Sequence, residues 1–392
     1  MEIKEQVRQL NDEIIELRRD FHQHPELGLE EFRTSEKIIT YLENIGMDVS
    51  RIAETGVVGL LSGNHPGRTL LLRADMDALP IQEENEVPYK SIYDGKMHAC
   101  GHDGHTAMLL IAAKILSRHT DEITGNIKFL FQPDEENMYA DVLVEKGVLK
   151  NPRVDAAMGI HLMTTIPAGK IGIQSGPVMA GMHVFNLTIK GKGGHTGFPQ
   201  DSIDPIITAA SIIQSTQIIQ TREIDVLKPT LIVFGKIEGG TIGNVIPDKV
   251  KMEGTIRYLY DTEPDTDEHP CTKFERVVES ICAAHRAKYD IKYTYSHPPV
   301  INDPGMAYLV RAKAENVVDT EDNIIPFVTM IGEDFCEFAN RAPSAFYFVG
   351  AGNKDIGADY PHHHPCFNID EDSLAVGVEM HVRTALSFLS KS

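Results

Sequence analysis

The sequence has no apolar run long enough to span a bilayer, which takes about 20 consecutive residues. Residues 1–5 carry charged side chains and lack the apolar core of a secretory signal peptide. The five cysteines are odd in number and scattered, so they do not form the disulfide framework typical of small secreted domains. We therefore expect a cytoplasmic protein that does not enter a membrane.

Positive charge is also scarce. The chain has 37 Lys and Arg residues against 57 Asp and Glu residues, a formal net charge of −20. Nucleic acids and anionic membranes attract basic surfaces, so this imbalance argues against both as partners. With 42% hydrophobic and 24% charged residues the composition is that of an ordinary globular protein. A chain of 392 residues exceeds what one core usually supports, so we expect two domains.

The segment MHACGHDGHT, residues 97–106, concentrates side chains that bind metals. It places the Cys100 thiol two residues before the His102 imidazole, on a glycine-containing turn that leads into an apolar helix over 107–116. Thiolate and imidazole donors at this spacing suit zinc, manganese, nickel or cobalt. Histidines also cap helices and cysteines also fill cores, so the segment alone is only suggestive.

Three further clusters strengthen the metal hypothesis. The hydrophobic run that ends in FQPDEE presents Glu135 and Glu136, and the run over 156–160 ends in His161. Residues 362–364 are three consecutive histidines between prolines. Adjacent acids and strand-end histidines are usually solvated surface residues. However, an open α/β sheet places its ligands at the carboxyl ends of its strands, and several clusters together favour a metal site there.

The first part of the chain alternates strand-like and helical patterns, which indicates an α/β sheet with covered faces. Apolar residues recur at helical spacing over 7–21, and a helix follows Gly104. The predicted strands lie at 57–61, 69–73, 126–131 and 156–161, and near the C-terminus a strand at 345–349 precedes a helix from about 372.

The pattern changes after residue 177. A strand, a helix, two strands, a helix and a strand follow in turn, which is the ferredoxin-like order. We therefore predict a discontinuous catalytic α/β domain over 1–180 and 297–392, with an inserted ferredoxin-like domain over 181–296. The predicted elements of the insert lie at 184–189, 203–220, 231–234, 250–256, 272–285 and 289–295.

The order of motifs along the chain resembles a known family. The sequence is similar to the amidohydrolase branch of the aminoacylase/carboxypeptidase-G-like metallopeptidases, which includes N-acyl-amino-acid amidohydrolases, hippurate hydrolases and auxin-conjugate hydrolases. The resemblance covers nearly the whole chain. Its motifs are RRDFHQHPELG (18–28), LRADMDALP (72–80), HACGHDGHT (98–106), FQPDEE (131–136), GIH (159–161), GKGGH (191–195), GNVIP (243–247), GTIR (254–257), GEDF (332–335) and the final His-x-Pro-x-Phe (363–367).

The resemblance implies a two-domain metallohydrolase with two divalent metal ions. A catalytic zinc keeps about three protein ligands, so five donors suit two ions rather than one. Manganese is the first choice from the family branch, with zinc, nickel or cobalt as alternatives. By resemblance His363 is the C-terminal ligand, although His362 and His364 remain open. The implied metal ligands are Cys100, His102, Glu136, His161 and His363.

The resemblance also assigns roles around the metals. Glu135 is the general base for a metal-bridged hydroxide, although the roles of Glu135 and Glu136 could be exchanged. Asp75 and Asp77 lie behind the ligands and orient their imidazoles.

The predicted insert also contributes to the active site by resemblance. His195 is expected to reach the active site of the neighbouring subunit and to donate a hydrogen bond to the oxyanion. Asn244 and Arg257 are expected to hold the substrate, because a planar guanidinium matches a carboxylate. These roles imply a homodimer, or a higher oligomer that contains the same pairing. Alternatively, His195 is a turn histidine without a catalytic role, and Arg257 forms a surface ion pair.

We therefore expect an amidohydrolase that cleaves the amide bond of small N-acyl or N-aroyl amino acids. A dipeptidase or aminopeptidase on the same scaffold is the first alternative. A thiol-nucleophile amidase that uses Cys100 is a second, and a binding protein without activity is a third. The chain departs from the family pattern at residues 137–140 and 196–200, so its substrate preference is open.

Overall fold

The structure is a computed structural model that describes residues 2–264 and 266–390. The chain forms two compact units. The first comprises Met1–Gly176, Ile301–Phe327 and Asp334–Ser392, and the second comprises Pro177–Val300 and Val328–Glu333. Within the described residues, no helix combines the length and the apolar character that crossing a bilayer would require.

Ten α-helices and sixteen β-strands make up the described parts of the chain. The helices are α1 (Ile3–Gln9), α2 (Asn11–Gln23), α3 (Phe32–Asn44), α4 (His102–Leu116), α5 (Ala140–Glu145), α6 (Pro205–Ile218), α7 (Pro270–Ala284), α8 (Pro304–Ala314), α9 (Cys336–Ala339) and α10 (Asp372–Phe388). The strands are β1 (Asp48–Ile52), β2 (Gly56–Ser62), β3 (His65–Asp75), β4 (Thr124–Gln132), β5 (Ala156–Pro167), β6 (Ile171–Gly172), β7 (Gly176–Met179), β8 (Gly181–Lys190), β9 (Gly194–His195), β10 (Thr230–Gly239), β11 (Val245–Ile246), β12 (Lys249–Tyr258), β13 (Lys288–His297), β14 (Val300–Asn302), β15 (Ile324–Ile325) and β16 (Ser344–Gly352).

The first unit is built on an eight-stranded sheet with the order β1-β2-β4-β3-β5-β16-β6-β15. Its four central strands, β4, β3, β5 and β16, run parallel, and Leu72 of β3 lies between Phe129 of β4 and Met158 of β5. These strands are apolar on both faces because helices cover both sides of such a sheet. Parallel strands end at the same edge, so β3 and β4 deliver their C-terminal residues close together.

Helix α4 lies in the core of the first unit. It packs against α2 and α10, and every residue from His102 to Ala113 is buried. A helix that is apolar nearly all round is expected in a core rather than at a surface. The N-terminus of α4, which carries part of the HACGHDGHT motif, is therefore enclosed in the core of the unit.

The second unit contains a four-stranded antiparallel sheet with the order β10-β12-β8-β13. Its elements follow the chain as β8, α6, β10, β12, α7 and β13, which is the ferredoxin-like order expected from the sequence. Phe185, Leu187 and Ile189 of β8 alternate with more exposed residues and belong to the buried core of this unit. The α/β fold class predicted from the sequence is confirmed.

The bounds of the units differ from the predicted domain bounds in detail. The second unit begins at Pro177 rather than at 181 and ends at Val300 rather than at 296. It also includes the segment Val328–Glu333, which the sequence analysis placed in the catalytic domain. Ile331 of this segment accepts a hydrogen bond at its carbonyl from the Ala180 N–H at 3.0 Å. The two residues are far apart in the chain, so hydrophobic periodicity does not reveal this contact.

The structure differs from the sequence-based prediction in several elements. The helix expected over 7–21 is two helices, because Leu10 leaves helical geometry between α1 and α2. Helix α3 was not predicted. Strand β5 does not end at His161 but continues to Pro167, because residues after His161 still pair with β16. His161 therefore lies inside a strand rather than at its end.

Candidate metal centre

Cys100 and His102 converge because the backbone turns sharply between them. Gly101 has φ = 91°, a left-handed conformation that glycine adopts without steric cost, and α4 begins at the next residue. This turn brings the donor atoms of Cys100, His102 and His161 within 4.8 Å of one another. The Cys100 Sγ lies 3.6 Å from the Nε2 of His161. All three side chains are buried.

A hydrogen bond from Nδ1 to the backbone fixes the orientation of the His161 ring. Its Nδ1 donates to the carbonyl of Leu162 at 2.7 Å, since a carbonyl oxygen can only accept. The ring proton is therefore on Nδ1, and the lone pair of Nε2 faces Cys100. This is the tautomer that a metal-binding histidine requires.

His102 is oriented in the same way by Asp77. Its Nδ1 lies 3.0 Å from the backbone carbonyl of Asp77 and 3.1 Å from the Oδ1 of that residue. The other oxygen of Asp77 accepts from the backbone N–H of Glu136 at 3.1 Å. One carboxylate thus positions a histidine and the loop that carries the glutamates. Within residues 2–264 and 266–390 the buried Nε2 of His102 makes no hydrogen bond, so this nitrogen can bind a cation in place of a proton.

The two glutamates reach the same point because β4 ends abruptly. Asp134 has φ = 54°, and a single turn of 3₁₀ helix over Glu135–Asn137 follows. Donor atoms of His102, Glu135 and Glu136 lie within 4.8 Å of one another. The Oε2 of Glu135 is 3.8 Å from the Nε2 of His102. Adjacent residues on a regular strand would point to opposite faces, so this irregular end is what allows both carboxylates to face the site.

The three C-terminal histidines have different partners. The Nε2 of His363 lies 3.3 Å from the Oε1 of Glu136, and His363 shares a donor cluster with Cys100 and Glu136. His362 instead donates from Nε2 to the carbonyl of Leu162 at 2.9 Å. The ring of His364 stacks on Tyr360. The geometry therefore favours His363 among the three candidates for the C-terminal ligand.

The electrostatics of the cluster favour a bound cation. Burial raises the pKa of Cys100, and the negative charge of Glu136 raises it further. Hydrogen bonds to Cys100 and Glu136 raise the pKa of His363 to about 10. Burial lowers the pKa of His102, but the negative charges of Asp75 and Cys100 outweigh this effect and raise it well above its usual value. Cys100, His102 and His363 therefore keep their protons while no cation is bound. A divalent cation can replace those protons on the same sulfur and nitrogen atoms. The residues present fit a metal ion.

A buried network of charges lies beside the donors. Arg73 donates to the carboxylate of Asp75, and to Asp334 at 2.9 Å. Asp75 in turn accepts from the Nδ1 of His105 at 2.6 Å, and the Nε2 of His105 accepts from the Leu162 N–H. Asp75 therefore hydrogen-bonds His105 rather than an expected metal ligand, and its Oδ1 lies 3.8 Å from the Nε2 of His102.

Arg73, His105 and Asp334 were not among the site residues predicted from the sequence. One signal could have identified them. An arginine in the middle of an apolar strand must find an anionic partner when it is buried, and LRADMDALP and GEDF supply two such partners. The register of β3 beside β4 decides which carboxylate pairs with Arg73 and which one accepts from a histidine. The sequence does not reveal this register.

The sequence analysis also gave no role to Asp103, beside His102 on α4. Asp103 is buried and accepts from Arg18 at 2.8 Å, while its Oδ2 lies 2.8 Å from the Nδ1 of His22. Both partners belong to α2, in the motif RRDFHQHPELG. This ion cluster fixes α2 against the first turn of α4 and so supports the turn that carries His102.

The remaining predicted site residues belong to the second unit. His195 is exposed on β9, opposite Val245 of β11, and its Nδ1 accepts from the Gly197 N–H at 2.9 Å. Asn244 is exposed, and its carbonyl accepts from Thr196. Arg257 is half-buried on β12 and donates to the carbonyl of Met330 at 2.9 Å. The five expected metal ligands and Glu135 all belong to the first unit.

The chain is similar to known proteins over nearly its whole length. Residues 71–387 match Peptidase family M20/M25/M40. The chain is 37% identical to thermostable carboxypeptidase 2 of Saccharolobus solfataricus over 402 residues, which covers 99% of this chain and 98% of that protein. It is 39% identical to N-acetyl-L-cysteine deacetylase of Bacillus subtilis over 371 residues, 93% of this chain and 85% of that protein. The crystal structure of the Bacillus subtilis YXEP protein, a dinuclear metal-binding peptidase from the M20 family, is 32% identical and superposes with a TM-score of 0.84 over 97% of this chain and 99% of that one.

The double contact of Asp77 leads to a prediction. Asp77→Ala should lower metal affinity by about 10–100-fold, because removing the partner of a metal-binding histidine typically has that effect. Asp77→Asn should lose less metal affinity, because its amide oxygen can still accept from His102. Its NH₂ group cannot accept from the Glu136 N–H, so some affinity should still be lost. Metal titration of the stripped proteins measures both, with the exposed Asp121→Ala as control. Equal affinity in Asp77→Ala and the unmodified protein would contradict the assignment.

Proposed function

Since this chain belongs to peptidase family M20/M25/M40, we propose that it is an amidohydrolase that uses two divalent metal ions to cleave N-acyl or N-aroyl amino acids. The observation that carries the proposal is the convergence of thiol, imidazole and carboxylate donors around the buried Nε2 of His102. The deacetylase of Bacillus subtilis that the chain resembles supports the substrate class.

Five side chains would hold the ions: Cys100, His102, Glu136, His161 and His363. Donors of this kind are too many for one catalytic ion and suit a pair. We propose manganese as the physiological metal from the family branch, with zinc, nickel or cobalt as alternatives that the Cys100 thiolate also suits. Bound ions lower the pKa of water and polarise the scissile carbonyl.

Glu135 is the proposed general base. It is 7% exposed and points at the donors from the same turn as Glu136. A carboxylate in this position can accept the proton of the attacking water and pass it to the leaving amine. Glu136, which shares a cluster with Cys100 and His363, is better placed as a ligand.

His195 is proposed to complete the active site of a partner subunit in a homodimer, and Asn244 and Arg257 are proposed to hold the substrate. Because the Nδ1 of His195 accepts a hydrogen bond from Gly197, its ring proton is on Nε2. His195 is exposed, so this N–H can act as a donor toward an oxyanion. Arg257 would bind the substrate carboxylate, for which a guanidinium is suited. The inserted unit is then the dimerisation domain.

A thiol-nucleophile mechanism is less well supported. Cys100 and His161 do form a close pair, with Sγ and Nε2 3.6 Å apart. A nucleophilic cysteine is activated by a lowered pKa, whereas burial and the charge of Glu136 raise the pKa of Cys100. The metal-ligand role requires no such activation before the metal binds.

A turnover screen tests the proposed function. N-acetyl and N-benzoyl amino acids and free-amine dipeptides are offered to manganese-loaded and zinc-loaded protein. We expect hydrolysis of the acyl amino acids, loss of activity after chelation, and recovery when metal is restored. Preference for dipeptides would favour a dipeptidase on this scaffold. Activity that survives chelation would favour the thiol mechanism.

Exchange of each glutamate for glutamine separates base from ligand. Glu135→Gln should keep its metals and bind substrate but lose about 10²–10⁴-fold in turnover, because an amide cannot accept the proton of water. Glu136→Gln should lose metal as well as activity. Metal content and single-turnover rates measure the two effects. The opposite pattern would reverse the two roles.

Subunit mixing tests the role of His195. His195→Ala should lose about 10²–10³-fold in turnover with unchanged metal content, as expected for one oxyanion donor. Mixing it with Glu135→Gln should restore activity, because one site of each heterodimer receives both intact groups. Subunit exchange is verified with a mass-tagged chain. Lack of rescue after exchange would show that His195 does not act across a dimer.

A further inference from the structure

The second unit contains a cavity of about 760 Å³ that has no part in the proposed reaction. It lies where α7 begins, beside residues of β8, β12 and β13. Its walls combine three histidines, a cysteine and three tyrosines, which is an unusual concentration of metal-binding and aromatic side chains. The lining residues used below are His183, Tyr258, His269, Cys271, Glu275 and Tyr293.

His183 lines this cavity, and its two ring nitrogens have different surroundings. On β8 it is opposite Ser296 of β13, and its Nδ1 lies 2.8 Å from the Ser296 Oγ. Within residues 2–264 and 266–390 its buried Nε2 has no hydrogen-bond partner. A buried polar atom without a partner costs about 1–3 kcal/mol, so a ligand at this position is favoured.

His269 and Cys271 come from the start of α7. His269 caps the helix by accepting the Cys271 N–H at Nδ1, and its Nε2 approaches the Tyr258 hydroxyl; both contacts measure 3.3 Å. These distances are at the long end of the hydrogen-bond range, so little is lost if a nitrogen turns to another partner. Both side chains are buried.

The donor atoms of these three residues meet. One atom each from His183, His269 and Cys271 lies within 4.8 Å of the other two. We infer that His183, His269 and Cys271 form a further metal site, which takes a divalent transition-metal ion such as zinc. Two imidazoles and one thiolate are a donor set that zinc binds in proteins, and soft sulfur disfavours magnesium or calcium.

Glu275 is a candidate for a fourth donor from the same helix. Glu275 is one turn after Cys271 and lines the same cavity, and residues at this spacing share a helix face. Its negative charge adds to burial in raising the pKa of Cys271, which reaches about 12. Metal binding at neutral pH therefore releases the thiol proton to solvent, and the metal replaces it on the sulfur.

Aromatic rings hold the histidines in place. Tyr258 stacks on His183 with ring centroids 5.7 Å apart and 9° between the planes, and His269 meets the His183 ring edge-on at 5.1 Å. An ion here would join β8 to the first turn of α7 and stabilise the second unit. All of these residues belong to that unit, whereas the five proposed ligands of the catalytic metals belong to the first unit.

Metal content tests the site in the intact protein. Each protein is stripped with chelator, loaded with Zn²⁺ alone, desalted and analysed for zinc per chain. Cys271→Ser and His183→Gln should each retain one equivalent fewer than the unmodified protein, whatever number the catalytic centre holds. Cys282→Ser is the matched control, because Cys282 is buried on the same helix and is not among the residues that line the cavity. Equal zinc in all four proteins would overturn the inference.

Cobalt distinguishes this site from the catalytic one. Co²⁺ bound to a thiolate gives a charge-transfer absorption band, and Cys100→Ala removes any such band from the catalytic centre. The band should persist in Cys100→Ala and vanish in the Cys100→Ala, Cys271→Ala double variant. Its absence from the single variant overturns the inference even if hydrolysis proceeds as proposed. Unfolding temperatures measured without metal verify that each variant is folded. Added Zn²⁺ should raise the unfolding temperature of Cys282→Ser more than the unfolding temperature of Cys271→Ser.

Discussion

The first unit depends on one buried charge. Arg73 is 1% exposed in the central strand of the sheet, and an unpaired guanidinium there would cost several kcal/mol. It is satisfied by Asp75 on its own strand, by Asp334, and by the side chain of Gln132 at the end of β4. Because these partners come from separate segments, the arginine fixes where each one lies. The strand end that carries Asp75 and the turn that carries the glutamates are thereby held in register, and His105 extends the network to β5.

The histidines of this cluster differ in which ring nitrogen is already hydrogen-bonded to a neighbouring segment. His102 has its outer nitrogen occupied by Asp77, and His161 by the carbonyl of Leu162, so that each presents the opposite nitrogen to the centre. His105 and His362 use their nitrogens on Asp75 and on the backbone instead. Tautomer and orientation are therefore set by hydrogen bonds to neighbouring segments.

Much of this could be predicted from the sequence, because strand periodicity and motif order are local. The α/β class was predicted and is confirmed, and so is the family resemblance. The partner of Asp75, the continuation of β5 beyond His161 and the placement of Val328–Glu333 could not be predicted, since each depends on contacts between distant segments. The cluster of His183 and Cys271 was missed for the same reason, as its members come from a strand and a helix far apart in the chain.

The positions of the donors along the chain have a topological consequence. Cys100 and His363 meet at one point although the whole of Pro177–Val300 lies between them in sequence. An ion held by both would act as a clasp, closing a long loop whose entropic cost grows only slowly with its length. The parallel pairing of β5 with β16, at His161 opposite Phe348, already brings the two sides together. In a chain cut within the second unit, the pairing of β5 with β16 would still place both fragments in one sheet, and an ion held by Cys100 and His363 would link them a second time.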